Sequence, residues 1–144
     1  MFDSVVQEMV TNYRVQRLPN ETGGALLGSF DMTRKVALVS VALPSPEVVT
    51  SAQQCYIRVS AGLRSAVSRC EAANGRGLEY IGEWHSHPSG ATARASKDDQ
   101  RALSLLSEVM AEDTRPAVIL IVANGELGLY VKDHLGSANR KGAV

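Results

Sequence analysis

The chain has 144 residues, of which 44% are hydrophobic and 21% charged, a balance that predicts one globular domain rather than a disordered or fibrous protein. Fifteen Lys and Arg residues balance fifteen Asp and Glu residues, so the basic surface on which nucleic-acid binding depends is not expected. The longest apolar run, Pro116 to Ala123, is shorter than the ~20 residues of a membrane helix. The first ten residues include an Asp and a Glu and lack the basic start of a signal peptide. We therefore expect a cytoplasmic protein with neither nucleic-acid nor membrane partners, in which Cys55 and Cys70 are reduced thiols.

The first third of the sequence predicts one helix and two strands. Apolar residues recur at helical spacing from Phe2, and this helix should end before Pro19. Glu21 to Gly28 is interpreted as a strand whose glycines let another backbone approach closely. Lys35 to Leu43 is predicted to be the second strand. Pro44 to Gln54 is then an irregular connection, and connections of this length are often functional.

The remainder of the sequence alternates between helices and strands. The predicted elements are a helix between a Ser60 cap and Asn74-Gly75, a strand from Leu78 to His87, a loop from Pro88 to Ala95, a helix opening at Ser96, and strands from Ala117 to Ala123 and from Leu127 to Lys132. The Asn124-Gly125 pair between the last two apolar runs is a strong hairpin signal. Because hairpins are expected at both ends, the sequence predicts an α/β fold with a mixed sheet. Residues 1–135 should form the domain, and residues 136–144 a flexible tail.

Two histidines at the end of a predicted strand suggest a metal site. His85 and His87 are separated by one residue, so in a strand they project from the same face, roughly 6.6–6.8 Å apart. Neutral imidazole is the commonest metal ligand in proteins. A catalytic zinc site needs a third protein ligand and keeps its fourth position for water. Asp99, in the first turn of the next predicted helix, is the candidate.

Each of these residues also has a purely structural interpretation. A histidine in a strand is more often structural than a ligand. Ser96-x-x-Asp99 has the form of a capping box, with Asp in place of the usual Glu; an Asp99 that binds metal is expected not to reach back to the cap. Trp84 should point away from the histidines into the core. Glu83 should share their face, which makes it a rival proton carrier, a support for a ligating imidazole, or a surface residue.

The combined pattern resembles the signature of the JAMM (MPN-plus) zinc metalloproteases. It comprises His85-Ser-His87-Pro88, seven further residues and Ser96-x-x-Asp99, preceded by the upstream run Glu21-Thr-Gly-Gly-Ala-Leu-Leu-Gly28. The resemblance extends from about Phe2 to Lys132 and implies a single domain with a cytidine-deaminase-like layer of helices on a mixed sheet. It also implies that His85, His87 and Asp99 bind one Zn²⁺, that Glu21 is the general base and acid, and that Ser96 donates to the oxyanion.

The same resemblance implies a substrate class. Small prokaryotic stand-alone domains of this type are similar to isopeptidases that cut after the C-terminal glycine of a ubiquitin-like protein, in deconjugation or precursor processing. Some are encoded beside E1/E2-like enzymes in anti-phage defence operons, so these enzymes are candidate partners. Two alternatives stay open: processing of a ubiquitin-fold sulfur-carrier protein, and a non-catalytic scaffold that holds a ubiquitin-like partner.

Overall fold

A computed structural model describes the protein over residues 4–46, 60–75 and 77–133. The elements are α1 (Ser4–Arg17), β1 (Gly23–Asp31), β2 (Val36–Pro44), α2 (Ala61–Ala73), β3 (Glu79–Ser86), α3 (Lys97–Ala111), β4 (Ala117–Ala123) and β5 (Glu126–Lys132). Their order and type are those predicted. The largest boundary difference is in β1, which continues three residues past Gly28 because Ser29, Phe30 and Asp31 pair with β2.

Several predictions fall outside the described residues. These are the connection beyond residue 46, Cys55, His134 and the tail from residue 136. The domain limits therefore stay predictions. In the described part of the chain, none of the helices has both the length and the apolar character needed to cross a bilayer.

The five described strands form one mixed sheet in the order β2-β1-β3-β4-β5. Neighbours are antiparallel except for β3 and β4, which run parallel. The parallel pair is possible because α3 carries the chain back between the two strands. The predicted fold class is thus confirmed, with a hairpin at each edge of the sheet and β3 in its centre.

The helices cover both faces of the sheet. Helix α1 packs on one face, where the core residues are Val6, Val10, Leu26, Val39, Ala42, Ile81, Trp84, Val118, Leu120 and Val122. Helix α3 covers the other face over β4, with Leu103, Leu106 and Met110 against Ile119 and Ile121. Helix α2 covers that same face over β1, where Leu63 and Val67 meet Ala25 and Leu27. Alternate residues of β4 join opposite layers, which explains why the whole strand is buried.

Gly24 shows why the upstream motif contains glycine. A Cβ atom at Gly24 would lie 1.8 Å from the carbonyl oxygen of Leu43, a distance that no side chain can accommodate. Gly24 lies opposite Trp84 in the β1–β3 register, and the Trp84 indole Nε1 donates to that same Leu43 oxygen at 3.1 Å. Because Gly24 has no side chain, Trp84 of β3 can reach across β1 and bond to the main chain of β2. The close approach predicted for these glycines is confirmed here and at Gly28, whose Cβ would meet the Leu38 carbonyl.

Candidate metal centre

The two histidines lie where the central strand ends. The main chain here is bonded on both sides: the N–H of Ser86, between the histidines, donates to the Thr22 carbonyl of the chain entering β1 at 2.7 Å, and His87 N–H donates to the Val122 carbonyl of β4 at 2.8 Å. His85 and His87 project from the α3-covered face, with ring centroids 5.3 Å apart. Pro88 then turns the chain out of the sheet.

Asp99 reaches the histidines from the first turn of α3. Its carboxyl is 2% exposed, with Oδ1 2.9 Å from His85 Nε2 and Oδ2 3.2 Å from His87 Nε2. One ligand atom from each of the three residues can be chosen so that all lie within 4.8 Å of one another. The structure thus brings together the three residues predicted to bind metal.

Asp99 completes the capping box, a role that a metal-binding Asp99 was not expected to have. Ser96 Oγ accepts from Asp99 N–H at 3.1 Å, and Asp99 Oδ2 accepts from Ser96 N–H at 2.6 Å, which completes the capping box. A carboxylate has two oxygens and about four lone-pair sites. Oδ2 therefore holds the cap while Oδ1 faces His85, and the two roles are compatible.

Asp99 is held as a carboxylate. Burial raises the pKa of its carboxyl, but the adjacent His85 ring and the hydrogen bonds at Ser96 lower it by more, so the net pKa lies well below its usual range. A metal ligand must be deprotonated. Asp99 therefore meets this requirement at neutral pH.

The tautomer of His87 also suits a metal ligand. Its Nδ1 lies 2.8 Å from the Thr92 carbonyl oxygen, and because a carbonyl oxygen can only accept, Nδ1 carries the proton. In the neutral ring, Nε2 is then the unprotonated atom, and it faces Asp99. Hydrogen bonding of the distal ring nitrogen to a carbonyl is typical of metal-binding histidines.

The donor set fits a zinc ion. His85 Nε2 is buried and, among the described residues, has no hydrogen-bond partner, although Asp99 Oδ1 is close to it. A buried polar atom left without a hydrogen bond is costly, and a bound cation would satisfy it. Two imidazoles and one carboxylate, with a fourth position open, form a donor set known from catalytic zinc sites.

The two residues expected to act on substrate lie at the starts of two elements, β1 and α3. Glu21 is exposed and lies two residues before the start of β1. Gly23, two residues after Glu21, pairs with His85, so Glu21 enters the sheet at the end of β3 that carries the histidines. Ser96 is exposed at the start of α3. Its hydroxyl oxygen accepts in the capping box, which leaves its proton to donate.

Other residues singled out from the sequence are placed as follows. Trp84 is fully buried on the α1 side, which confirms its predicted core position. Glu83 is only 4% exposed, so its interpretation as a surface residue is wrong; its Oε1 accepts from the Tyr80 hydroxyl at 3.2 Å. Cys70 is free and half-buried against the α2 core, rather than enclosed by it.

Arg14 is a contributor that the sequence analysis missed. It is 6% exposed, and its Nε donates to the His87 carbonyl at 3.3 Å while Nη2 donates to Asn124 Oδ1 at 2.6 Å. A signal was available: Arg14 follows Val6 and Val10 at four-residue intervals, on the buried stripe of α1. The main-chain carbonyl of Thr92, by contrast, leaves no trace in the sequence.

Comparisons with known proteins agree with this geometry. Residues 3–131 match the family described as prokaryotic homologues of the JAB domain. A relative named CD-NTase/cGAS isopeptidase, from Enterobacter hormaechei subsp. hoffmannii, is 29% identical over 127 residues, which are 88% of this chain and 68% of the relative. A probable metalloprotease, y4qB, from Sinorhizobium fredii is 26% identical over 107 residues, 74% of this chain and 65% of that protein. The chain thus spans about two thirds of each relative.

A solved structure shows the same fold. The solution structure of protein DSY2949 from Desulfitobacterium hafniense superposes with a TM-score of 0.64, covering 97% of this chain and 88% of that one, at 22% sequence identity. At this identity the likeness concerns the fold alone.

Proposed function

The chain belongs, as its sequence motifs predicted, to the family of prokaryotic JAB-domain homologues, and from this premise we propose that it is a zinc-dependent peptidase or isopeptidase. The observation that carries the proposal is the convergence of His85, His87 and Asp99. They come from two separate elements, and the buried His85 Nε2 lacks a hydrogen bond within the described residues. The names of the two relatives, an isopeptidase and a probable metalloprotease, support the same reaction class.

In the proposed mechanism, His85, His87 and Asp99 hold the ion. When bound, zinc supplies Lewis-acid polarisation and brings the pKa of a bound water toward ~7. Glu21 takes a proton from the attacking water as the water oxygen adds to the substrate carbonyl carbon. Ser96 donates its hydroxyl proton in a hydrogen bond to the oxyanion that develops there. Glu21 then returns the proton to the leaving nitrogen as the C–N bond breaks.

We propose that the substrate is a ubiquitin-like protein, cut after its C-terminal glycine. Support comes from the motif resemblance and from the relative named as an isopeptidase, a word that denotes cleavage of a side-chain-linked conjugate. A role in an anti-phage defence operon beside E1/E2-like enzymes, and a cytoplasmic location, belong to the same proposal. Processing of a sulfur-carrier protein uses the same chemistry on a different ubiquitin-fold partner.

Two adjacent carboxylates provide a matched test of the metal centre. Asp99→Asn removes the charge that faces the histidines but keeps the shape of the side chain. Asp98→Asn makes the same change one residue earlier, where the carboxylate lies toward solvent in an ion pair with Arg101 at 3.2 Å. Zinc content, thermal unfolding with and without a chelator, and cleavage of a fluorogenic amide fused to the Gly-Gly end of a ubiquitin-like protein are measured for both variants.

Asp99→Asn should lose stoichiometric zinc and cleavage, whereas Asp98→Asn should keep both. Chelation should lower the melting temperature of the wild type, because an ion that binds only the folded state stabilises it by about 2.7 kcal/mol at 100 times its dissociation constant. Full zinc occupancy in Asp99→Asn would refute the ligand assignment. A wild type that binds the ubiquitin-like protein and never cleaves it would instead support the scaffold alternative.

A further inference from the structure

The 92–95 segment links the two halves of the metal centre. It lies between the histidine strand and α3. At its beginning, the Thr92 carbonyl accepts from His87 Nδ1; at its end, Ala95 immediately precedes the Ser96 cap. Any displacement of this segment would therefore alter the orientation of the His87 ring and the start of α3 together.

Three alternate residues of β5 contact the 92–95 segment, two through hydrogen bonds and one through close packing. The Glu126 carboxylate accepts from Ala93 N–H at 3.2 Å. The Tyr130 hydroxyl donates to the Ala93 carbonyl at 3.0 Å and accepts from Ala95 N–H at 2.9 Å. Between them, a Cβ atom at Gly128 would lie 2.2 Å from the Ala93 oxygen, so the segment crosses β5 at a point where only a glycine leaves room.

The hydroxyl of Tyr130 is the central contact of this arrangement. Ala93 is buried, so its main-chain polar groups need partners, and both find them on β5 side chains. Tyr130 contacts the segment on either side of Arg94, and its ring lines the same cavity as Asp99 and Ala95. Its phenol thus connects the last strand of the sheet to the residues that position both histidine and carboxylate ligands.

We propose that Tyr130 is a positioning residue of the metal centre. Its hydroxyl fixes the 92–95 segment so that the Thr92 carbonyl keeps His87 in the tautomer with Nε2 free, and α3 begins with Asp99 facing the histidines. Tyr130 itself touches none of the three ligands through a described hydrogen bond. The inference rests on the proposed metal centre and adds to it a residue outside the sequence signature.

The test compares two Tyr→Phe variants. Tyr130→Phe removes one hydroxyl and retains the ring that packs in the α3 core. Tyr13→Phe is the matched control, because that ring stacks on Trp84 on the opposite face of the sheet. For each, the zinc dissociation constant is measured by competition with a chelating dye without substrate. The absorption spectrum of the Co²⁺-loaded protein reports ligand geometry, and kcat and KM are determined separately.

Tyr130→Phe should bind zinc about 10- to 100-fold more weakly, as is typical when a group supporting a ligand is lost. Its Co²⁺ spectrum should change, and kcat should fall more than KM rises, while Tyr13→Phe should match the wild type. Gly128→Ala, whose methyl group would meet the Ala93 carbonyl oxygen and displace the 92–95 segment, should weaken zinc binding too, and it decides whether the segment positions the ligands if Tyr130→Phe does not fold.

Wild-type zinc affinity and an unchanged Co²⁺ spectrum in folded Tyr130→Phe would overturn the proposal, as would an equal loss in Tyr13→Phe. A wild type that binds zinc but cleaves nothing contradicts the proposed hydrolysis, while the zinc measurements still decide the role of Tyr130. A wild type that binds no zinc overturns both.

Discussion

Replacing Ser96 separates its role in the capping box from its proposed role at the oxyanion. Its Oγ accepts one hydrogen bond, from Asp99 N–H at 3.1 Å, and the residue is exposed. Loss of a helix cap on substitution by Ala costs about 0.5–2 kcal/mol. Because Ser96 is exposed, the Asp99 N–H that loses its partner can bond to water. We therefore expect the free energy of unfolding to fall by about 1 kcal/mol. The reciprocal bond to Asp99 Oδ2 uses the main-chain N–H of residue 96, which alanine and glycine both retain.

The loss in catalysis should be much larger than the loss in stability. Removal of one oxyanion donor lowers turnover by about 10²–10³, equivalent to about 2.7–4 kcal/mol in the transition state. A loss of about 1 kcal/mol in folding lowers the melting temperature of a domain of this size by only about 2–4 °C. Well below that temperature the Ser96→Ala variant stays folded, so reduced turnover there cannot come from unfolding.

Ser96→Gly supplies the internal control. Glycine at a helix N-cap costs only a few tenths of a kcal/mol relative to serine, yet it removes the hydroxyl as completely as alanine does. The two variants should therefore differ in melting temperature and agree in kcat, with zinc bound in both. Assays are run on zinc-quantified protein with the fluorogenic ubiquitin-like fusion at a temperature where both are folded. Near-normal kcat in either variant would refute donation by Ser96 and leave it as a cap alone.

Two further pairs of substitutions test the base and the sheet. Glu21→Gln should retain zinc, and its turnover should fall by a factor of about 10²–10⁴. Glu83→Gln keeps an acceptor for the Tyr80 hydroxyl and should retain both zinc and substantial activity. If steady-state kinetics give the reverse order, the base is Glu83. Gly24→Ala should destabilise the fold by about 1–3 kcal/mol or more in chemical denaturation, because its methyl meets a main-chain oxygen. Gly77→Ala, with only a 3.4 Å contact to accommodate, should be close to neutral.

Much of the fold could be predicted because each local signal agreed with the packing. Three local signals were followed by the expected element. Ser60 caps a helix, Asn124-Gly125 turns a hairpin, and the wholly apolar run from Ala117 to Ala123 is a buried strand. The convergence of His85 and His87 likewise follows from alternation along one strand. The approach of Asp99 to them depends on how the loop from Pro88 to Ala95 turns. The sequence indicated Asp99 as the third ligand, but its spacing alone does not determine that turn.

What escaped prediction depends on tertiary contacts. The arrangement of Asp99, with one oxygen in the cap and the other facing His85, was missed because spacing treats a carboxylate as a single acceptor. The burial of Glu83 follows from its place between β1 and β4, which no local pattern reveals. The docking of the 92–95 segment on β5 brings together residues more than thirty positions apart in sequence. At Gly128 the close approach is possible only because that residue has no side chain.

The burial of Trp84 gives this protein a built-in optical reporter. It is the sole tryptophan of the sequence, it is shielded from solvent, and its indole bonds to β2 while its ring lies 5.7 Å from that of Tyr13. Its emission should therefore arise from an apolar environment and shift to longer wavelength when the sheet opens. Because the adjacent residue in the chain is His85, intrinsic fluorescence can follow the strand that carries the histidines in every variant that keeps this tryptophan, without any attached dye.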